Sequence, residues 1–182
     1  VYDNSEATLD EVNAQITALT AAKEAAALYP FVESALKTIE AGKYFIYYTD
    51  ESSVKHYLQT SGSNSIVTVT NNPVSYDIAT GTVNDGKYTK AYTLKMNDLY
   101  ISNTSSNATN IETKDFVGLW SSQVIFEKEG KAAIRLTNAK DVDSWHGNYF
   151  INKGETEGTT IALDPSLGDA LFFWTIEADL ES

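Results

Sequence analysis

Asp141, Asp143, Trp145, His146 and Asn148 fall within one short polar stretch, and the chemistry open to them decides how the chain is read. Asp141 and Asp143 begin in the manner of a calcium loop. An EF-type loop, however, takes a third oxygen ligand at its fifth position and glycine at its sixth. Here those places hold Trp145 and His146, which excludes calcium. The same residues suit a neutral sugar. An indole offers an apolar face to the C–H side of a sugar ring, while Asp and Asn exchange hydrogen bonds with its hydroxyls. Against this stands a second reading, in which Trp145 folds back as core, since tryptophan is usually well buried.

Other reactive residues are scattered. His56 and His146 fall in corresponding connections at separate corners, so a shared metal is not expected, and His56 reads as a polar residue at a strand edge. Tyr47, Tyr48, Tyr92 and Tyr100 could serve as stacking platforms, but tyrosine is a strand former and alternation turns half of such a set inward. Glu155-Thr156-Glu157, between Gly154 and Gly158, reads as a solvated acidic turn. Paired catalytic carboxylates need a shared cleft and one raised pKa, which nothing in the spacing requires. There is no Ser/His/Asp motif, phosphate loop or metal-binding helix. No enzyme activity, cofactor or metal is expected.

Charge narrows the partners further. Thirteen Lys and Arg face 25 Asp and Glu, a net charge of −12. Such a chain repels the phosphate backbone of nucleic acids and anionic membrane surfaces. It suits neutral or cationic partners. No apolar run approaches the ~20 residues of a membrane span. The first residues, Val1-Tyr2-Asp3-Asn4, lack the basic and apolar regions of a signal peptide, which a mature or excised piece would have lost. Without cysteine, disulfide and thiolate chemistry are excluded.

The elements that must position the polar stretch follow from an internal repeat. Gly42-Lys43-Tyr44, Gly86-Lys87-Tyr88 and Gly130-Lys131 are spaced by 44 residues, a period typical of repeated supersecondary units. Tyr44–Thr49, Tyr88–Thr93 and Ala132–Thr137 follow, then Tyr57-Leu58, Tyr100-Ile101 and Tyr149-Phe150. Apolar pairs Tyr76/Ile78, Val124/Phe126 and Trp174/Ile176 close the units. The pattern predicts four short strands per unit: 44–48, 57–60, 66–70 and 74–78; then 87–94, 99–103, 109–113 and 123–127; then 132–137, 149–152, 159–163 and 172–177. Three units are too few to close a propeller. From Lys43 to Tyr57 is 14 residues and from Lys87 to Tyr100 is 13, but from Lys131 to Tyr149 is 18, so the polar stretch is an extension of the third unit.

Over about residues 42–177 this repeat resembles a β-trefoil, in particular the ricin-B-like group, whose units run from Gly-x-Tyr through a Tyr-Leu strand to a strand ending in Trp-x-Ile. The resemblance implies a mainly β fold, a pseudo-threefold axis, and Tyr76, Phe126 and Trp174 in the core. It also implies sugar binding at the first-to-second strand connection through an Asp, an aromatic and an Asn. The family's Gln-x-Trp signature is missing: Trp174 is preceded two residues earlier by Phe172, and the other units have Val74/Tyr76 and Ser122/Val124.

Ahead of the repeat, residues 1–41 read as an α-helical hairpin and 42–182 as the trefoil domain. Thr8-Leu9-Asp10-Glu11 has the form of a capping box. Val12, Ile16 and Leu19 share a face that continues to Ala22 and Ala26. Pro30 ends this helix and starts another, whose stripe is Phe31, Ala35, Leu36 and Ile39, with Gly42 as its C-cap. Ala7–Ala26 resembles the last helix of a FIVAR-type module, which implies a longer bacterial surface protein with further domains. The chain is thus expected to be a non-catalytic, lectin-like module of a secreted or cell-surface bacterial protein. It should bind a neutral glycan through Trp145, Asp143, His146, Asn148 and Asp141, with a protein-interaction or spacer trefoil as the alternative.

Overall fold

The structure, a computed structural model, describes residues 8, 11–19, 37–61, 65–80, 91–103, 111–128, 130–137, 148–151, 157–158, 160–164 and 173–181. The chain divides into two compact parts, Val1–Pro30 and Phe31–Ser182. In the first, a helix α1 covers residues 11–19. Its start is the capping box read from the sequence. The Thr8 N–H donates to Glu11 Oε2 at 2.8 Å, and the Glu11 N–H donates to Thr8 Oγ1 at 3.3 Å. The Val12 N–H then donates to the Thr8 carbonyl at 3.1 Å, the first bond of the helix. Bonds from Thr8 hold the Glu11 carboxyl below its ordinary range. The expected continuation of this helix to Pro30, and the second helix as far as residue 36, lie outside the described residues. No described helix is long and apolar enough to cross a membrane.

The second part is mainly β. Its described strands are β1 Gly42–Thr49, β2 Lys55–Thr60, β3 Ile66–Val69, β4 Tyr76–Thr80, β5 Tyr92–Met96 and β6 Leu99–Ser102. They continue as β7 Glu112–Lys114, β8 Ser122–Lys128, β9 Lys131–Thr137, β10 Asn148–Ile151, β11 Ala162–Asp164 and β12 Phe173–Ala178. Six of them close a barrel in the order β1, β4, β5, β8, β9, β12 and back to β1, every junction antiparallel. The others pair outside this ring: β2 on β1 with β3 on β2, β6 on β5 with β7 on β6, and β10 on β9 with β11 on β10. Closure leaves the ring without a free edge. Among the described residues, β5 and β8 meet at one register pair, Tyr92 with Gln123.

Alternation sends one set of side chains into this ring. Tyr76 and Trp174, expected in the core, are fully buried there, beside Ile46, Leu58 and Phe150. Phe126, expected with them, is instead buried on the opposite face of β8, because its neighbour Ile125 takes the inward position opposite Ile134. Trp174 donates its indole N–H to the Phe150 carbonyl at 3.2 Å and meets Tyr48 edge-on at 5.8 Å. Asn97 and Asp98 join β5 to β6 with positive φ at both positions, the backbone of a type I′ hairpin turn.

Two sequence expectations need correction. The second helix does not extend to Gly42. Residues 37–40 are irregular backbone, and Gly42 opens β1 instead of capping a helix. The reason is competition for backbone groups: the Lys37 N–H donates to the Ile125 carbonyl, the Ile39 N–H to the Tyr92 hydroxyl, and that hydroxyl to the Lys37 carbonyl. Ile39 is consequently in the barrel core at 7% exposure, and the Lys37 ammonium pairs with Glu127. Helical bonds along this segment would forfeit all of these contacts.

The second correction concerns register. Tyr57, Tyr100 and Tyr149 lie opposite Tyr47, Lys95 and Arg135. Matching first-strand positions are therefore 47, 95 and 135, which depart from the 44-residue spacing in the second copy. The strand expected at 87–94 is observed at Tyr92–Met96, while Gly86-Lys87-Tyr88 lies outside the described residues. Connection length absorbs the difference: residues 50–54 join β1 to β2, but only 97–98 join β5 to β6.

Candidate functional site

Of the residues expected to bind a ligand, Asp141, Asp143, Trp145 and His146 lie outside the described residues. Asn148 begins β10, its backbone opposite Leu136, and its side chain also lies outside them. What the structure gives is the frame. Residues 138–147 leave β9 and return in β10, whose first two residues pair with Leu136 and Arg135. Leu136 and Phe150 are buried, which fixes both strands against the barrel. Beside this frame the Arg135 guanidinium lies 5.7 Å from the centre of the Tyr149 ring, a cation–π distance. Tyr149 in turn lies 6.4 Å from the buried ring of Phe126 on β8.

His56 is not the strand-edge group that its sequence neighbourhood implies. It is 3% exposed, stacked on Tyr48 at 4.7 Å, and its Nε2 lies 2.8 Å from Asp50 Oδ2. Asp50 also accepts the Val54 N–H at 2.9 Å, and the His56 and Val54 bonds together hold its carboxyl below the usual range. The pair therefore clamps residues 50–54. Among the described residues, no three His, Asp or Glu groups gather as metal ligands. A cavity of about 270 Å³ between Ile39 and Tyr92 has, among the described residues, one carboxylate, Glu40, on its wall.

Tyr47, Tyr48 and Tyr92 are buried, as expected for structural tyrosines, and Tyr100 is half-buried with Lys95 5.7 Å from its ring centre. One of them nevertheless belongs to a cluster that the sequence does not reveal. Ile46 and Tyr48 face the core, so Phe45 and Tyr47 occupy the outward face of β1. Register places Glu177 of β12 opposite Phe45, and Tyr57 of β2 opposite Tyr47. The Tyr47 hydroxyl donates to Glu177 Oε2 at 2.5 Å, and Lys55 Nζ donates to the same oxygen at 3.1 Å. On the way, the Lys55 ammonium passes 4.2 Å from the centre of the Tyr47 ring. Tyr57 is 5.2 Å from Tyr47, and Phe45 meets Tyr57 edge-on at 5.8 Å. Glu177 escapes a sequence reading because 122 residues separate it from Lys55. The outward alternation of Phe45 and Tyr47 was the available signal.

The bonds from Tyr47 and then Lys55 hold the Glu177 carboxyl below its ordinary value of 4.5. A depressed carboxyl contributes stability above its unfolded pKa and loses it as pH falls through the folded value. The stability difference between wild type and Glu177→Gln should therefore be constant above pH 4.5 and shrink below it. Urea unfolding at a series of pH values measures this. A difference that grows on acidification would contradict the assigned bonds.

No protein-family model matches the chain, and no curated protein matches it either. Among solved structures it is similar to an apo form of the BEL β-trefoil (crystal form 3), with a TM-score of 0.54 at 12% sequence identity. The match covers 78% of this chain and 97% of that one. A likeness at that identity speaks to architecture: a β-trefoil type of fold, with a six-stranded barrel and further strands outside it.

Proposed function

We propose that the chain is a non-catalytic carbohydrate-binding module of a secreted or cell-surface bacterial protein. In this reading β1–β4, β5–β8 and β9–β12 are three four-stranded units around a pseudo-threefold axis, in the ricin-B-like manner. The tyrosines at 57, 100 and 149 support it, each opening an equivalent cross-strand pair. The FIVAR-like reading of the N-terminal segment, joined to other domains of a longer parent chain, is supported by the capping box at Thr8 and Glu11.

The observation that carries the site is the unequal length of the connections. Residues 50–54 and 97–98 are short links, whereas 138–147 is an extension holding Asp141, Asp143, Trp145 and His146 immediately before Asn148. An indole with neighbouring carboxylates and an amide is the equipment for holding one sugar ring. A shallow site of this size supports affinity near the millimolar range, about 4 kcal/mol. The expected result is that an immobilised glycan array captures the wild type and that Trp145→Ala abolishes capture. Stability should stay within about 1 kcal/mol, as for surface changes. A Trp145→Ala chain that melts far lower would make Trp145 a core residue and end the sugar-site reading.

A protein-interaction or spacer trefoil is the second reading, and one feature favours it. Between β7 and β8, Phe116, Val117 and Leu119 are exposed on either side of Gly118, Phe116 by 59%. The stretch is held in shape. The Gly118 N–H donates to Ser121 Oγ at 2.9 Å, and that buried hydroxyl donates to Ser102 Oγ at 3.0 Å. Exposed apolar groups on a fixed backbone fit a protein partner better than a sugar.

A further inference from the structure

We propose that the outward face of β12, β1 and β2 is a second binding site for a neutral, hydroxyl-rich ligand, one sugar ring in size. The ligand would be seated on Tyr57 and Phe45 and hydrogen-bonded by Glu177 and Lys55. The site is separate from the β9–β10 connection and shares with that reading only the ligand class.

The water-facing side of an antiparallel sheet is ordinarily polar. Here adjacent strands place Phe45 and Tyr57 on that side, both partly exposed, over the buried ring of Tyr47. Two partly exposed rings 5.8 Å apart give an apolar seat of the kind that takes the C–H side of a pyranose. Polar groups border it immediately. Tyr47 and Lys55 both donate to Glu177 Oε2, so among the described residues Glu177 Oε1 accepts no hydrogen bond. The Lys55 ammonium has three N–H donors and spends one on Glu177. A free carboxylate oxygen beside free ammonium donors can engage two neighbouring hydroxyls, one as acceptor and one as donor.

Charge selects the ligand class. Lys55 and Glu177 neutralise each other, and the chain as a whole carries −12, so phosphorylated or sulfated ligands have no unpaired cation to bind here. A neutral polyol meets no such penalty. The donors are also fixed in advance: Tyr47 is buried, and Lys55 is anchored at both the Tyr47 ring and Glu177. Binding therefore spends little on ordering side chains, which is what lets a small ligand bind a shallow surface at all.

The test uses the full chain, labelled with nitrogen-15 and titrated separately with the methyl glycosides of glucose, galactose and mannose. At least one should shift the amide signals of Phe45, Tyr47, Tyr57 and Glu177 in a saturable way. Tyr57→Ala and Glu177→Gln should each weaken that binding about tenfold or more, a difference of about 1.4 kcal/mol. The Glu177→Gln change is nearly isosteric at an exposed position, so it keeps the test sound if Tyr57→Ala folds poorly. Shifts confined to residues 138–148 would overturn this site and leave the one proposed there standing. Shifts confined to the β12–β1–β2 face would do the reverse. Titrations without saturable shifts at this face, or affinities unchanged in both variants, overturn the proposal. So does sedimentation showing a dimer of the wild type that Tyr57→Ala dissolves, because the rings would then be covered by a second copy.

Discussion

Trp174→Ala is expected to lower the unfolding free energy by ~3–5 kcal/mol, the usual range for truncating a buried large aromatic. Trp174 is the largest of the fully buried side chains among the described residues, and its strand lies between β1 and β9 in the barrel. Truncation removes the edge-on contact with Tyr48 and leaves a void bordered by strands that cannot collapse without breaking their ladders. It also strips the Phe150 carbonyl of its indole donor in a place closed to water. Urea unfolding followed by circular dichroism should show the midpoint falling with an unchanged slope, the sign of lost stability within the same fold. A change under about 1 kcal/mol would mean that the void closes, and that the barrel interior is less rigid than the packing shows.

Gln123→Leu should cost about 2–4 kcal/mol, although it replaces a polar residue with an apolar one in the interior. Gln123 is fully buried, and its amide does two jobs: Oε1 accepts the Leu94 N–H at 3.2 Å, and Nε2 donates to the Ile101 carbonyl at 3.3 Å. Leucine fills similar space but leaves both backbone groups without partners, each worth about 1–3 kcal/mol when buried and unsatisfied. The position matters because Gln123 lies opposite Tyr92 at the junction between β5 and β8 that closes the barrel. The side chain thus adds two bonds beside the backbone pairing at this junction. Faster hydrogen exchange at the Leu94 amide, together with the loss in stability, is the expected signature. Unchanged exchange there would show that the backbone holds the junction alone.

The features legible in the sequence are those set within a few residues. The capping box needs only Thr8 and Glu11, and it forms as read. Alternation marks Tyr76 and Trp174 as inward, and both are in the buried core, but in β8 it is Ile125 and not Phe126 that faces inward. The tyrosines at 57, 100 and 149 stand at equivalent register positions because each precedes a buried residue, Leu58, Ile101 or Phe150. What escaped depends on partners far along the chain. Lys37–Glu40 has a helical pattern, but bonds to Ile125 and Tyr92 hold it in another form. The second copy of the repeat misled because a Gly-Lys-Tyr spacing does not register the shorter turn at Asn97-Asp98. Glu177 became a candidate binding residue only through its register opposite Phe45. Four of the five residues of the sequence-derived site, and the side chain of Asn148, lie outside the described residues, so their chemistry rests on the sequence pattern.

The pairing of β1 with β12 also sets the order in which the molecule can be made. During synthesis β1 emerges well before one of its two barrel neighbours, β12 at residues 173–178. The Lys43 carbonyl likewise waits for the Asp179 N–H, 2.9 Å away in the finished barrel. Until then one edge of β1, with its run of aromatic residues, has no partner. Contacts this distant in sequence carry a large loop-closure cost before they give any return, so assembly is slow compared with that of a helical chain of similar length. A nascent chain stalled before residue 173 exposes a strand edge to its neighbours, the condition under which partly folded β proteins aggregate. The same strand pair that removes the edge from the native barrel makes the unfinished chain sticky.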